Sequence, residues 1–146
     1  MRTIIESLYE YFKACPLMGT RKLNIDFLPE QGVEYSIDTT PATEIVKQYA
    51  DGGSIRQYLF VIRSVNDYGA DVLQNISNSG FFERFAAWLE NQNKSGVLPI
   101  LPEGKMAQTI QAQSTAYLHS SCPGMGRYQI QCRLTYYQEV KTWMES

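Results

Sequence analysis

The sequence predicts an α+β fold, in which helices pack on one mainly antiparallel sheet. The first observation is a pair of stretches near the C-terminus, 107–119 and 127–138, in which apolar and polar residues alternate with the two-residue period of a β-strand. The second is the helical spacing of apolar residues at the N-terminus and again at 81–92. The third is the order of the patterns along the chain, with short turns that favour antiparallel neighbours. A single domain over residues 1–146 is expected from the length.

The N-terminus is predicted to form a helix. Ile5, Leu8 and Phe12 recur at the spacing of one helix face, which is the stripe expected on the core. The acidic residues within this stretch do not fit a signal peptide. Pro16 is expected to end the helix, because the residue before a proline is pushed out of the α region.

Three strands are predicted to follow the helix. Residues 22–27 and 33–37 alternate, with Pro29 and Gly32 between them, so an antiparallel hairpin is expected. Residues 43–49 are predicted to form the next strand, and the Asp-Gly-Gly sequence after it is a strong turn signal.

Residues 55–65 form the most strand-like run in the chain. Apolar residues fall on both of its faces, which are formed by Ile55, Leu59 and Val61 on one side and by Tyr58, Phe60 and Ile62 on the other. Such a strand is expected at the centre of a sheet, or with its second face against another subunit.

Two helices are predicted next, a short one at 71–76 and a longer one at 81–92, with Asn78 or Ser79 as the N-cap of the second. Gly96 is expected just beyond its end. An extended apolar connector containing two prolines then leads into the C-terminal hairpin, whose turn is predicted at 120–126.

The composition excludes several classes of function. Hydrophobic residues make up 44% of the chain and charged residues 19%, which argues against disorder. A formal charge of −2, with scattered Lys and Arg, gives no basis for nucleic-acid binding. No apolar run approaches the roughly 20 residues needed to span a bilayer. The three cysteines are an odd number and are expected to be reduced thiols.

No residue pattern identifies a reaction. His119, the only histidine, forms a His-x-x-Cys pair with Cys122, but a zinc site needs two more ligands, so a strand-end His beside a turn is the preferred interpretation. Asp67 and Asp71 could be paired carboxylates, although their surroundings are typical of a loop entering a helix. Phosphate-binding glycine motifs and Gly-x-Ser-x-Gly are absent. No cofactor and no metal are therefore expected.

Tyrosine is in excess, with ten in the chain. Four lie on the C-terminal hairpin, Tyr117, Tyr128, Tyr136 and Tyr137. Tyrosine is common at protein interfaces because it joins a large apolar ring to a polar tip, although the same residues could pack in the core. The polar face of the hairpin carries Gln, Thr and Arg, which favours a protein whose role is contact.

Four segments together resemble small proteins encoded in prophages of Gram-positive bacteria. They are residues 49–61, 68–82, 101–105 and 127–138. The resembling proteins are minor structural proteins of the phage, similar to the tail terminator and tail-completion, or head–tail joining, proteins of long-tailed phages. The resemblance extends over residues 44–140.

The resemblance implies a non-enzymatic subunit that forms a ring, often hexameric, on the end of the tail tube. It implies the tail-tube protein and the head–tail connector as partners, the host cytoplasm as the place of assembly and the tail or neck of the virion as the final location. A closed ring joins two different surfaces of each subunit. The residues predicted to make these contacts are Arg56, Tyr58, Phe60, Ile62, Gln111, Gln113, Tyr117, Gln129, Gln131, Arg133 and Tyr137. The loops at 29–32, 95–104 and 120–126 are further candidates for partner contacts.

The alternative is a small enzyme or ligand-binding domain with an unrecognised site. Sequences of this type have been labelled chloramphenicol resistance proteins. An acetyltransferase of that kind uses a histidine in a His-x-x-x-Asp-Gly pattern, whereas His119 is followed by Ser-Ser-Cys-Pro-Gly. The sequence therefore does not support that label.

Overall fold

The computed structural model describes residues 3–18, 23–25, 34–67, 72–113, 117–122 and 125–140. These residues form helices α1 and α2, a 3₁₀ turn and strands β1 to β7. Their bounds are α1 Ile4–Lys13, the 3₁₀ turn Pro16–Met18, β1 Leu23–Ile25, β2 Glu34–Thr39, β3 Ile45–Gln48, β4 Ser54–Asp67, α2 Val72–Ser95, β5 Lys105–Ala112, β6 Tyr117–Cys122 and β7 Met125–Gln138.

The strands of the described residues belong to one seven-stranded mixed sheet. β4 and β7 form its centre and pair antiparallel along their whole lengths, from Ser54 opposite Gln138 to Asp67 opposite Met125. β2 and β3 share the other edge of β4, and β5 and β6 share the other edge of β7. With the helices packed on this sheet, the predicted α+β fold is confirmed.

Several predicted elements are confirmed with small changes of length. α1 begins after Thr3, whose hydroxyl accepts a hydrogen bond from the Glu6 N–H at 3.3 Å, and ends before Pro16. β3 and β4 form a hairpin through the predicted Asp-Gly-Gly turn, in which Gly52 has φ +95°. This left-handed backbone is the conformation that glycine adopts without steric cost.

The predicted N-terminal hairpin is wrong in the orientation of its strands. β1 and β2 do lie side by side, but they run parallel, with Leu23 opposite Tyr35 and Ile25 opposite Ile37. Alternation cannot distinguish the two orientations, because successive side chains point to opposite faces in both. β1 is only three residues, about 10 Å long, so a short connection can return the chain to its starting end. The predicted turn residues lie outside the described part of the chain.

The two helices predicted at 71–76 and 81–92 are in fact the single helix α2. The predicted cap at Asn78 or Ser79 is therefore wrong. Asn and Ser favour caps, but they are tolerated in helix interiors, and Gly80 costs only about 1 kcal/mol relative to alanine there. No proline lies within the helix to break it.

The end of α2 is the one that the sequence predicts. Gly96 has φ +72°, and its N–H donates to the Asn93 carbonyl at 3.2 Å. The Val97 N–H donates to the Gln92 carbonyl at 2.9 Å. This pair of bonds satisfies carbonyls that would otherwise lack partners at the helix terminus, and its left-handed residue favours glycine.

The single strand predicted at 107–119 is divided into β5 and β6. Ala112 lies opposite Cys132, but Tyr117 lies opposite Gln129, so β5 and β6 advance two residues more than β7 over the same interval. Two extra residues leave the alternation in phase, which is why the pattern alone predicts one continuous strand. The predicted turn at 120–126 is shorter than expected, because β6 reaches Cys122 and β7 begins at Met125.

The core lies between the helices and one face of the sheet. Phe12 of α1 is completely buried, and its ring centroid lies 5.8 Å from Phe60 of β4 and 5.6 Å from Phe85 of α2. The Trp88 ring is 6.2 Å from Phe12. Phe12 therefore joins both helices to the central strand of the sheet, through aromatic contacts that add to the hydrophobic burial.

Asn93 of α2 closes part of the edge of β5. Its side-chain oxygen accepts from the Ile110 N–H at 2.8 Å, and its side-chain nitrogen donates to the Ile110 carbonyl. The same nitrogen lies 3.0 Å from the Leu89 carbonyl, within its own helix. The Asn93 amide thus takes the place that a neighbouring strand would occupy, at a position where free backbone groups would invite pairing with another chain.

We expect Asn93→Ala to lower the free energy of unfolding by about 1–3 kcal/mol, because it leaves the Ile110 backbone groups without their partners. It should also increase concentration-dependent aggregation, since the β5 edge is then open. Urea denaturation and static light scattering measure the two effects. Asn91→Ala, at an exposed site of the same helix, is the matched control and should change stability by less than about 0.5 kcal/mol. Equal behaviour of the two variants would contradict the role given to Asn93.

Candidate contact surface on the outer face of the sheet

The two faces of the sheet differ in what covers them. Alternate residues of the central strands, such as Phe60 and Leu134, point into the core under the helices and are 0% exposed. The residues between them point the other way, and we call this side the outer face. Its cross-strand pairs on β4 and β7 include Ile55 with Tyr137, Gln57 with Thr135, Leu59 with Arg133, Val61 with Gln131 and Arg63 with Gln129.

Two residues predicted for subunit contact lie in the core instead. Phe60 and Ile62 are completely buried among the core residues, so they cannot meet another subunit while the fold is intact. The prediction is wrong for these two because β4 carries apolar residues on both faces, and the pattern does not say which face the helices cover. Tyr58, on the same side, is half-buried, and its hydroxyl lies 2.5 Å from the Thr39 hydroxyl.

The predicted residues of β7 and β5 lie on the outer face. Gln131 and Gln111 are exposed there, and Arg133 and Tyr137 are half-buried. Arg133 is aligned with Gln111 across the β5–β7 pair, so these side chains form a continuous row. The alternation in the sequence predicts this placement correctly.

The remaining residues predicted on the hairpin differ in how exposed they are. Gln113 is exposed just beyond β5, and its backbone N–H donates to the Gln131 carbonyl at 2.7 Å. Gln129 is on the outer face but only 6% exposed. Tyr117 lies opposite Gln129 in the register, and its side chain is outside the described part of the chain.

Arg56 lies near the start of β4, on the side of the sheet that faces the helices. Its side chain is bound to residues of its own chain. Its guanidinium is 3.0 Å from a Glu44 carboxylate oxygen, and its Nε donates to the Ser54 hydroxyl at 2.9 Å. The Tyr136 hydroxyl donates to the same Glu44 oxygen at 3.2 Å. Burial, and then the negative charge of Glu44, raises the pKa of Tyr136 to about 12. The sequence does not reveal this cluster, because Glu44 and Tyr136 are 92 positions apart.

The two arginines at the middle of the outer face differ in their partners. Arg63 forms an ion pair of 2.9 Å with Asp38, whose other oxygen accepts a hydrogen bond from the Ser36 hydroxyl. Arg133 makes no hydrogen bond or ion pair within the described residues, and its Nε, like that of Arg63, is shielded from solvent without an acceptor. A guanidinium that is partly removed from water without an acceptor favours a partner that supplies one.

One end of the outer face carries exposed apolar side chains, and we call it the apolar end. It consists of Tyr49, Met106, Tyr137 and Val140. The rings of Tyr49 and Tyr137 are 6.3 Å apart, and Met106, opposite Tyr137 in the register, is 69% exposed. Gly53 lies under the Tyr137 ring, where a Cβ would collide with the hydroxyl. The second glycine of the turn therefore serves close packing rather than chain reversal.

Other candidate sites carry less chemistry. An open groove of about 480 Å³ lies between α2 and β5, but two of its polar groups, Glu90 and Lys94, already pair at 3.4 Å. No group of three or more possible metal ligands occurs among the described residues. The side chains of His119 and Cys122 lie outside that part of the chain. Over the same described ranges, none of the helices has the length and apolar character needed to cross a membrane.

The predicted partner-contact loops also have different outcomes. Residues 29–32 lie outside the described ranges, and most of 120–126 belongs to strands. The connector after α2 lies at the surface, with Ile100 81% exposed. It is attached to α1 by a hydrogen bond of 2.7 Å that the Tyr11 hydroxyl donates to the Val97 carbonyl.

No protein-family model matches this chain, and no curated protein matches it at a significant level. The similarity to phage tail proteins therefore stays a prediction from the sequence. The structural feature that bears most directly on function is the outer face, with its exposed amides, its apolar end and an arginine that has no polar partner in the described part of the chain.

We expect Tyr136→Phe to weaken the loss of stability at alkaline pH. The pKa of Tyr136 is raised from 10.0 to about 12, so its contribution to the free energy of unfolding is complete below pH 10 and disappears as the pH rises through 12. The variant should lose about 1 kcal/mol at neutral pH with the hydrogen bond to Glu44, and should decline less steeply above pH 10. Urea denaturation at several pH values measures this.

Tyr49→Phe is the matched control, because Tyr49 is partly exposed at the surface. It should follow the alkaline profile of the parent protein. The assignment to Tyr136 fails if both variants and the parent show the same slope above pH 10.

Proposed function

We propose that this protein is a phage or prophage structural protein of the tail-terminator or tail-completion type. It forms a ring, most simply of six copies, that closes the end of the tail tube and offers a surface to the head–tail connector. The ring assembles in the host cytoplasm and remains in the tail or neck of the virion. The observation that carries the proposal is the outer face, which presents contact-type side chains on the side opposite the helices.

The composition of the outer face supports a contact role rather than a catalytic one. Gln111, Gln131 and Thr135 can donate or accept hydrogen bonds to another protein surface, but none is a strong acid, base or nucleophile. The best-connected polar cluster, around Glu44, Arg56 and Tyr136, has its groups bonded to one another. Internal bonding of this kind stabilises the fold and leaves little free for substrate.

The arrangement also supports the asymmetry that a ring needs. Subunits in a closed ring meet through two different surfaces, one on each neighbour. The subunit carries a guanidinium, Arg133, among the amides of the outer face, and an apolar end that includes Met106 and Tyr137. Exposed aromatic and methionine side chains are enriched at protein interfaces. No chemical step is required, because the tube end is closed by complementary surfaces alone.

The first test is the solution mass of the purified chain across a concentration series, by light scattering after size exclusion. The measurement is made with and without a phage tail-tube protein. We expect a ring, or a monomer that becomes a ring when the tube is present. A monomer that ignores the tube at every concentration would contradict the proposal and favour a ligand-binding domain.

Two variants make this test specific to the outer face. Met106→Lys should prevent assembly, because it places a charge within the apolar end while leaving the buried core intact. Glu83→Gln, at an exposed site on α2, is the control and should assemble like the parent. Assembly of Met106→Lys at the parent concentration would remove the apolar end from the proposed interface.

A further inference from the structure

Two carboxylates border the apolar end. Glu103 lies in the turn before β5, and Glu139 follows β7, and both are exposed. Glu103 directly precedes Gly104, and the Gly104 carbonyl accepts the Glu139 N–H at 2.9 Å. Neither carboxylate forms an ion pair with any residue that the structure describes. This end of the molecule therefore combines apolar surface with two carboxylates that form no ion pair there, and with one cation, Lys47, whose Nζ lies 5.1 Å from the centroid of the Tyr49 ring.

Arg133 cannot reach these carboxylates within one subunit. Arg133 and Glu139 are six positions apart along an extended chain, which corresponds to about 20 Å. That separation exceeds what an arginine and a glutamate side chain can span together. Each subunit therefore carries a positive group and a pair of negative groups that are complementary but held apart.

We propose that these groups meet between successive copies of the chain. The apolar end of one copy, with Glu103 and Glu139, docks on the part of the outer face around Arg133 in the next copy. This inference rests on the proposed function, since it assigns the contact that would build the ring. The contact is head-to-tail, so it can repeat until the ring closes.

The chemistry of the two surfaces fits this contact. A guanidinium can bind a carboxylate through two parallel hydrogen bonds, which would satisfy the shielded nitrogen of Arg133. Leu59, opposite Arg133 on β4, is half-buried, and Met106 and Tyr137 of the neighbour can cover its remaining exposed area. The two arginines of β4 are less available. Arg56 already pairs with Glu44, and Arg63 already pairs with Asp38.

Charge reversal tests the contact. One variant carries Arg133→Glu, and a second carries Glu103→Arg together with Glu139→Arg. Each should raise the concentration needed for assembly at least about tenfold, because like charges then face each other at the contact. A chain with all three substitutions should assemble within about threefold of the parent, because the complementary pair is restored in reverse.

An equimolar mixture of the first two variants provides a second, independent readout. Each variant then offers the surface that the other lacks, so the mixture should form rings in which the two alternate, although neither assembles alone. Glu83→Arg, a charge reversal on the exposed side of α2, should assemble like the parent. Thermal unfolding followed by circular dichroism confirms that every variant is folded.

The outcomes separate this inference from the proposed function. If the parent forms rings but the reversed chain and the mixture do not recover, the ring exists and this contact is wrong. If the charge reversals have no effect on ring formation, the contact is again wrong. If the parent stays monomeric with and without the tail-tube protein, both proposals are overturned.

Discussion

The antiparallel pairing of β4 with β7 is the constraint on which the rest of the structure depends. It holds 14 residues of each strand in one register and so decides which side chains share a face. A shift of one residue would exchange the faces, placing Arg133 under the helices and Leu134 on the surface. The two strands are separated by α2, β5 and β6 in the chain, so their pairing closes a long loop. The entropy of closing that loop is lost before the strands gain their hydrogen bonds and packing contacts. The register is therefore both the source of the core and the source of the outer face.

Phe12 then gives the two faces of that sheet their different roles. Its ring lies against Phe60 of β4 and Phe85 of α2, so both helices are held on the same side of the sheet. An antiparallel sheet with helices on one side can keep the other side for solvent or for another molecule. The outer face follows from this one-sided packing. It is open around Gln111 and Gln131, whereas Ser36, Val61 and Val65 on the same side are 2% exposed or less.

The sequence predicts the parts of this arrangement that depend on local pattern. Alternation places Gln131, Arg133 and Tyr137 on the outer face. The glycine at position 96 predicts the end of α2, and the helix does end directly before it. The direction of β1, the continuity of α2 and the burial of Phe60 and Ile62 depend on packing between distant segments, which a periodic pattern does not encode. The same limit applies to the candidate surface. Among the described residues, Arg63 has an ion-pair partner and Arg133 has none, and this difference depends on where Asp38 lies, across β2 and β4.

The divided flanks of the central pair have a dynamic consequence. Each long strand has two short neighbours on its outer edge instead of one long one, β2 and β3 on β4, and β5 and β6 on β7. β3 and β5 flank one end of the β4–β7 pair, and β2 and β6 flank the other. The strands at one end can therefore separate locally while those at the other end stay paired. Amide hydrogen exchange should be slowest in the shared middle of β4 and β7. The end that carries Tyr49 and Met106 can then adjust its shape on docking while the rest of the subunit stays folded.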